Sequence, residues 1–178
     1  MRDAFDVAIV VGSDSDLAVM ARAAKVLEEF GVSHDVQVLS AHRTPQALEE
    51  YIESFGRRGV KVVIAAAGNA AHLAGKIASA TTLPVIGVPL DGELLGLDAL
   101  LATVQMPGGI PVLTVAIGGA GATNAALAAV AILALARPEL TERLQAYRER
   151  MAAEALRTNE ELQTRGIEDY VRKKGAHG

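Results

Sequence analysis

The chain contains no cysteine and no tryptophan, and its 178 residues include only three phenylalanines and three tyrosines. The missing thiols exclude disulfides, thiolate nucleophiles and cysteine-ligated metals. So few rings leave little for nucleobases to stack on. Positive charge is also scarce: 17 Lys and Arg stand against 21 Asp and Glu, for a formal net charge of -4, and no long basic block occurs. Both observations argue against a nucleic-acid partner. The N-terminal stretch MRDAFDVAIVVGSDSD turns polar after a short apolar run and lacks the apolar core and cleavage site of a secretory signal. One segment has the length of a membrane span, GGAGATNAALAAVAILALA (118–136). Glycines and Thr123-Asn124 interrupt its first part and alanine dominates the rest, so it reads as a buried helix preceded by a loop. The expectation is a soluble cytoplasmic protein with no membrane partner.

What the chain has in quantity is small apolar side chains. Hydrophobic residues make up 51% of it, chiefly Ala, Val, Leu and Ile, alongside 17 Gly. The length suits one domain spanning residues 1–178 and can bury a substantial core. That much aliphatic surface on one small domain points to burial between subunits, hence to a homo-oligomer.

Val7–Val11 is a continuous apolar run, as in a strand covered on both faces. A helical pattern follows from Leu17 to Phe30, with Val19, Ala23, Val26, Leu27 and Phe30 as its apolar stripe and Gly31 as its stop. Asp35–Leu39 is a second strand. Thr44 is placed to cap the next helix, with Pro45 at its first position, where a missing N–H costs nothing. That helix is expected to reach Phe55 and stop at Gly56. Lys61–Ala66, Pro84–Val88 and Val112–Ile117 are the remaining strands. The helices between and after them are read near Ala71–Ala80, Leu94–Val104, up to Ala136, and over Glu139–Leu156. The last residues, 157–178, are polar and charged, a further helix or an arm. Strands alternating with helices at this spacing imply a parallel sheet with helices on both faces, one three-layer α/β domain.

Polar or glycine-rich clusters follow all five strands: GSDSD, SAHRTP, AGNAAH, PLDGELLG and GGAGATN. In an open parallel sheet these ends form one rim, where ligands bind near the switch in strand order. GSDSD offers Ser13 and Ser15 hydroxyls at a helix start, which suits a phosphate as well as it suits ordinary capping. It is neither a dinucleotide fingerprint nor a P-loop. Asp16 suits ribose hydroxyls, which can donate to a carboxylate. Arg43 is either a solvated loop residue or a fork-shaped phosphate clamp. His42, beside Arg43, can carry a proton either way near neutral pH. His72 ends another rim loop and is read as a lining or a structural residue. His34 and His177 are read as surface residues. The four histidines show no metal-ligand spacing, so no metal is expected.

Taken together, GSDSD, SAHRTP, AAHLAGKIAS, LPVIGVPL, GLDALLATVQMPGGIPV and AIGGAGATNAALAA resemble the 5-(carboxyamino)imidazole ribonucleotide mutase family of purine biosynthesis, in order over residues 7–150. SAHRTP with QMPGGIPV is similar to the bacterial mutase branch. The related aminoimidazole ribonucleotide carboxylase branch, which uses free carbon dioxide, usually has Lys where Arg43 stands. The resemblance implies a flavodoxin-like sandwich, a homo-octamer with active sites between subunits, and neither metal nor organic cofactor. It implies that His42 is the general acid and base. Ser13, Asp16 and Arg43 would bind the ribonucleotide, with Ser40 and the backbone around Gly68 lining the base and carboxylate pocket. The chain departs from the family pattern at Asn69, where Gly is usual, at Ala74, where Pro is usual, and at Gly119, where Lys is common. The PLDGELLG loop is also one residue short. Two other readings of the same residues are a carboxylase using free carbon dioxide and a nucleotide-binding module without catalysis. An intact His42 favours catalysis, because binding alone needs no proton shuttle.

Overall fold

A computed structural model describes residues 4–92 and 94–175 of the chain. Five parallel strands form one sheet: β1 (Val7–Val11), β2 (His34–Val38), β3 (Val62–Ala67), β4 (Val85–Pro89) and β5 (Leu113–Thr114). Their spatial order is β2-β1-β3-β4-β5, the flavodoxin-like arrangement, whose direction of winding reverses between β1 and β3. The helices are α1 (Leu17–Glu29), α2 (Pro45–Glu53), α3 (Phe55–Arg58), α4 (Leu73–Ala80), α5 (Leu97–Val104), α6 (Gly118–Ala134), α7 (Pro138–Arg165) and α8 (Ile167–Gly175). A single 3-10 turn, Asp14–Asp16, leads into α1.

The apolar runs are buried as continuous runs in a parallel sheet should be. Every residue of β1 and β4 is buried, and so are the first five of β3. Successive side chains alternate between the two faces. Ala8, Val10, Val63, Ala65 and Val85 pack with Leu48, Tyr51, Ile52, Phe55, Leu73 and Ile77 of α2, α3 and α4. The opposite face is covered by α1 and α6, which also pack on each other. A fully buried Ile or Val contributes ~1.5–3 kcal/mol relative to exposure. Ile9, Ile64 and Ile86 are all fully buried, so the three central strands hold the sheet.

The edge strand β2 is only half covered, and it is secured by polar contacts instead. Asp35 accepts hydrogen bonds from the Tyr51 hydroxyl at 3.0 Å and from Gln37 Nε2 at 2.9 Å, and it faces Arg58 at 3.5 Å. Arg58 in turn lies over the Phe5 ring at 4.4 Å. Burial, and then the adjacent Asp35 carboxylate, push the Tyr51 hydroxyl well above its ordinary value. This cluster ties β2 to α2 and α3, which fixes where the loop after β2 can go.

Several boundaries differ from the sequence reading. The helix after Pro45 does not stop at Gly56: Gly56 lies within α3, and Gly59 ends the run with a left-handed φ of 74°. The Gly59 position needs that conformation, which glycine adopts freely, whereas a side chain at Gly56 would meet open space. β5 shrinks to Leu113–Thr114, the two residues that pair with Ile86 and Gly87 of β4. GGAGATN is not a loop but the opening turns of α6. Its first turn lies so close to the preceding chain that a Cβ at Gly121 would overlap the Ala116 carbonyl and reach within 3.3 Å of Val88. Gly121→Ala is therefore expected to cost ~1–3 kcal/mol or more. In a chain this size that lowers Tm by roughly 2–4 °C per kcal/mol. Thermal unfolding checks this, and an unchanged Tm would contradict the close packing.

The chain divides into two compact units, the first ending at Ala136 and the second beginning at Arg137. The second consists of α7 and α8, joined at Gly166. The tail read as a helix or an arm is thus partly the end of α7 and partly α8, and His177 lies outside the described residues.

Candidate active site

The rim at the carboxyl ends of β1, β2 and β3 encloses a cavity of about 430 Å³, astride the reversal between β1 and β3. That volume falls in the range of about 300–1,000 Å³ typical of small-molecule sites. All six site residues expected from the sequence line it: Ser13, Asp16, Ser40, His42, Arg43 and Gly68.

After β1 the chain turns sharply, and its polar groups are tied to one another. The Ser13 N–H donates to Asp16 Oδ2 at 3.1 Å, and the Ser15 hydroxyl donates to Ser13 Oγ at 3.0 Å. Burial is the largest influence on Asp16 and raises its carboxyl above the ordinary carboxylate value. The Ser13 N–H, the Ser15 hydroxyl and the Arg43 guanidinium oppose that rise. A half-buried carboxylate held this way suits a hydroxyl donor better than an anion.

The SAHRTP turn is built by its two hydroxyls. Ser40 Oγ accepts from the N–H groups of His42 at 3.3 Å and Arg43 at 3.1 Å. Thr44 Oγ1 accepts from the Ser40 N–H at 2.8 Å and donates to the Ser40 carbonyl at 3.2 Å. Thr44 occupies the N-cap position of α2, as its sequence context suggested, but its hydroxyl closes the turn and caps nothing. Pro45 stands at the first helical position. The turn leaves His42 and Arg43 exposed over the cavity. Arg43 reaches across to β1's loop, where Nη2 donates to the Gly12 carbonyl at 2.6 Å. A guanidinium has five N–H donors in a fixed fork. One contact to Gly12 orients Arg43 and leaves others for an anion beside Ser13 and Ser15.

The loop after β3 supplies Ala67, Gly68, Asn69 and Ala70 as a small-residue wall, with Leu73 of α4 behind it. A Cβ on Gly68 would come within 3.1 Å of the Asp91 carbonyl, so the loop after β4 is packed against this one. Asn69 has a φ of 50°, a left-handed conformation that asparagine tolerates better than most residues. This explains how Asn replaces glycine here. Its side chain lies against Gly92, where an added Cβ would overlap it. Glu93 of the shortened loop lies outside the described residues.

Three findings were not read from the sequence. Asp91 lines the cavity from the loop after β4. The sequence placed its loop, PLDGELLG, on the rim without singling out this residue. His72, read as a lining or structural residue, is not among the cavity's lining residues, but its Nδ1 stands 3.0 Å from Nε2 of His42. The fifth cluster, GGAGATN, contributes nothing to the lining, because its residues are spent on α6.

A family model described as AIR carboxylase matches residues 6–154. The N5-carboxyaminoimidazole ribonucleotide mutase of Thermotoga maritima is 48% identical over 169 residues, covering 94% of this chain and 98% of the relative. The protein of the same name from Pyrococcus horikoshii is 51% identical over 166 residues, covering 93% of each. A crystal structure of Treponema denticola PurE superposes with a TM-score of 0.80 at 26% identity, covering 88% of this chain and 97% of the other.

Proposed function

This chain belongs to the AIR carboxylase family, and we propose that it is an isomerase that converts 5-(carboxyamino)imidazole ribonucleotide to 5-amino-4-carboxyimidazole ribonucleotide in purine biosynthesis. The observation that carries this reading is the meeting of His42, Arg43, Asp16 and the two loop serines in one cavity, on a chain about half identical to relatives that bear the mutase name.

The substrate's phosphate is held by Arg43 and the Ser13–Ser15 loop, and its ribose by Asp16. The base and carboxyl lie against Ser40 and the Gly68 backbone. In the first half of the reaction the carbamate C–N bond breaks and carbon dioxide leaves. His42 gives its proton to the exocyclic nitrogen, which becomes the amine. In the second half C4 of the imidazole attacks the retained carbon dioxide, a C–C bond forms, and His42 takes the proton that C4 must lose. One proton goes out and one returns, so the enzyme ends as it began. Ala41, Ala67 and Ala70 line the cavity without offering a competing nucleophile. The purified chain is expected to turn over the carbamate substrate with no added bicarbonate, and absence of product would contradict the reading.

Residues 1–178 act as one mutase domain in the cytoplasm; the family match runs past Ala136 to residue 154. No helix of the described residues is long and apolar enough to cross a membrane. The assembly is a homo-octamer. Leu97, Leu101 and Val104 of α5 and Leu113 of β5 are about half exposed, an apolar surface that contact with other copies would cover. Light scattering at micromolar concentration is expected to give a mass well above a dimer's, and a stable monomer would overturn this part.

A further inference from the structure

We propose that Asn69 is a positioning residue for the substrate: its side chain latches the loop after β4 onto the loop after β3 through Gly92, and so holds the Gly68 backbone where the base and carboxyl bind. The role of Gly68 rests on the functional reading; the latch itself rests on contacts. Asn69 lies in the cavity wall, in the loop that follows β3. Its φ is 50°, and its carbonyl accepts from the Ala71 N–H at 2.8 Å, so the turn closes on itself. Its carboxamide lies on Gly92.

The fit is reciprocal. The three atoms nearest to a Cβ added at Gly92 all belong to Asn69: Oδ1, Cγ and the backbone nitrogen. Gly92 does not take a left-handed φ, whereas Gly96 in the same loop does, at 77°. Glycine at 92 therefore answers a need for space, and Asn69 is what fills that space. Asparagine suits the other half of the pair, because it is short and tolerates the left-handed region. Both partners also sit where the chain departs from its family pattern, at a position where Gly is usual and in a loop one residue short. A larger side chain in one loop meets a missing side chain in the other.

Beside the latch the two loops run close together. The Leu90 N–H donates to the Ala67 carbonyl at 3.0 Å, and the Asp91 carbonyl would be 3.1 Å from a Cβ on Gly68. Beyond Gly92 the loop turns tightly, with Leu95 and Gly96 both left-handed at φ 54° and 77°. Its tip gains little from burial: Leu94 and Leu95 are 64% and 83% exposed. A segment with so few buried apolar contacts opens readily unless something ties it down. The Asn69 side chain supplies that tie, so the wall behind the substrate is ordered before binding and the cost of ordering it is not charged to affinity. Asn69 touches no reacting atom, so its effect belongs to KM and not to kcat.

Three variants test the latch, with wild-type turnover of the carbamate substrate as control. Gly92→Ala drives a methyl group into the space that Asn69 fills, and KM is expected to rise about tenfold or more, as overpacking predicts, with kcat nearly unchanged. Asn69→Gly removes the latch without adding an atom, so it cannot overpack the site. Its KM is expected to rise about threefold, because the loop must then be ordered on binding. In Asn69→Gly/Gly92→Ala the added methyl meets no side chain, and KM is expected to return to the value of Asn69→Gly, the non-additivity of two residues in contact. Hydrogen exchange at the amides of residues 89–97, read without substrate, is expected to quicken in Asn69→Gly. A wild-type KM in Asn69→Gly, a double variant no better than Gly92→Ala, or unchanged exchange in Asn69→Gly would each overturn the proposal. Because exchange is read without turnover, its failure is distinct from a failure of the functional reading.

Discussion

His42→Asn will bind the substrate and barely turn it over. Asparagine keeps much of the imidazole's shape and can still donate one hydrogen bond, so the SAHRTP turn, held by Ser40 and Thr44 through backbone groups, should persist. What asparagine lacks is a nitrogen that gains and loses a proton near neutral pH. Both halves of the proposed reaction need that nitrogen, once as donor and once as acceptor. Loss of a general acid or base costs at least about a hundredfold. Steady-state kinetics should therefore show kcat lowered by that factor or more, with KM within a few-fold of wild type. A fully active variant would remove His42 from the chemistry.

Arg43→Ala should fail in the opposite way, at binding. Arg43 is oriented by the Gly12 carbonyl and lines the same cavity as the Ser13–Ser15 turn, where the proposed mechanism puts the phosphate. Hydrogen bonds between charged partners are each worth ~1.5–3 kcal/mol, so losing one weakens affinity about tenfold or more. The methyl group left behind also releases the strap across the two loops. Arg43→Lys separates the two effects: lysine restores a positive charge but not the fork that can hold Gly12 and a phosphate together. KM should rise strongly in the alanine variant and less in the lysine variant. An unchanged KM in Arg43→Ala would show that Arg43 does not touch the substrate.

The central strands and the rim were legible in the sequence for a physical reason. A strand buried on both faces must be apolar throughout, and Val7–Val11 could be little else. Ser13, Asp16, Ser40, His42, Arg43 and Gly68 lie within a few residues of such strands, so the topology alone carries them to one rim. Features set by contacts distant in sequence were not legible. Whether Gly56 or Gly59 stops a helix depends on which backbone turns left-handed, and both look alike in sequence. Thr44 looks like a cap because its residue type fits, yet Ser40 competes for its hydroxyl. GGAGATN looks like a loop because isolated glycines weaken helices. Packing at Gly121 reverses that preference, because only a residue without a side chain lets α6 start so close to Ala116. The pairing of His42 with His72 spans 30 positions and leaves no local pattern at all.

The account stands most directly on the fate of one carbon atom. The substrate is prepared with label in its carbamate carbon and given to the wild-type enzyme in buffer holding unlabelled bicarbonate. A mutase keeps the carbon dioxide it releases, in a cavity walled by Ala41, Ala67 and Ala70, and returns it to C4 before it exchanges. The expected result is product that carries the label. Product formed at the same rate with the label fully diluted into the bicarbonate pool would contradict the account and make the enzyme a carboxylase that draws on free carbon dioxide.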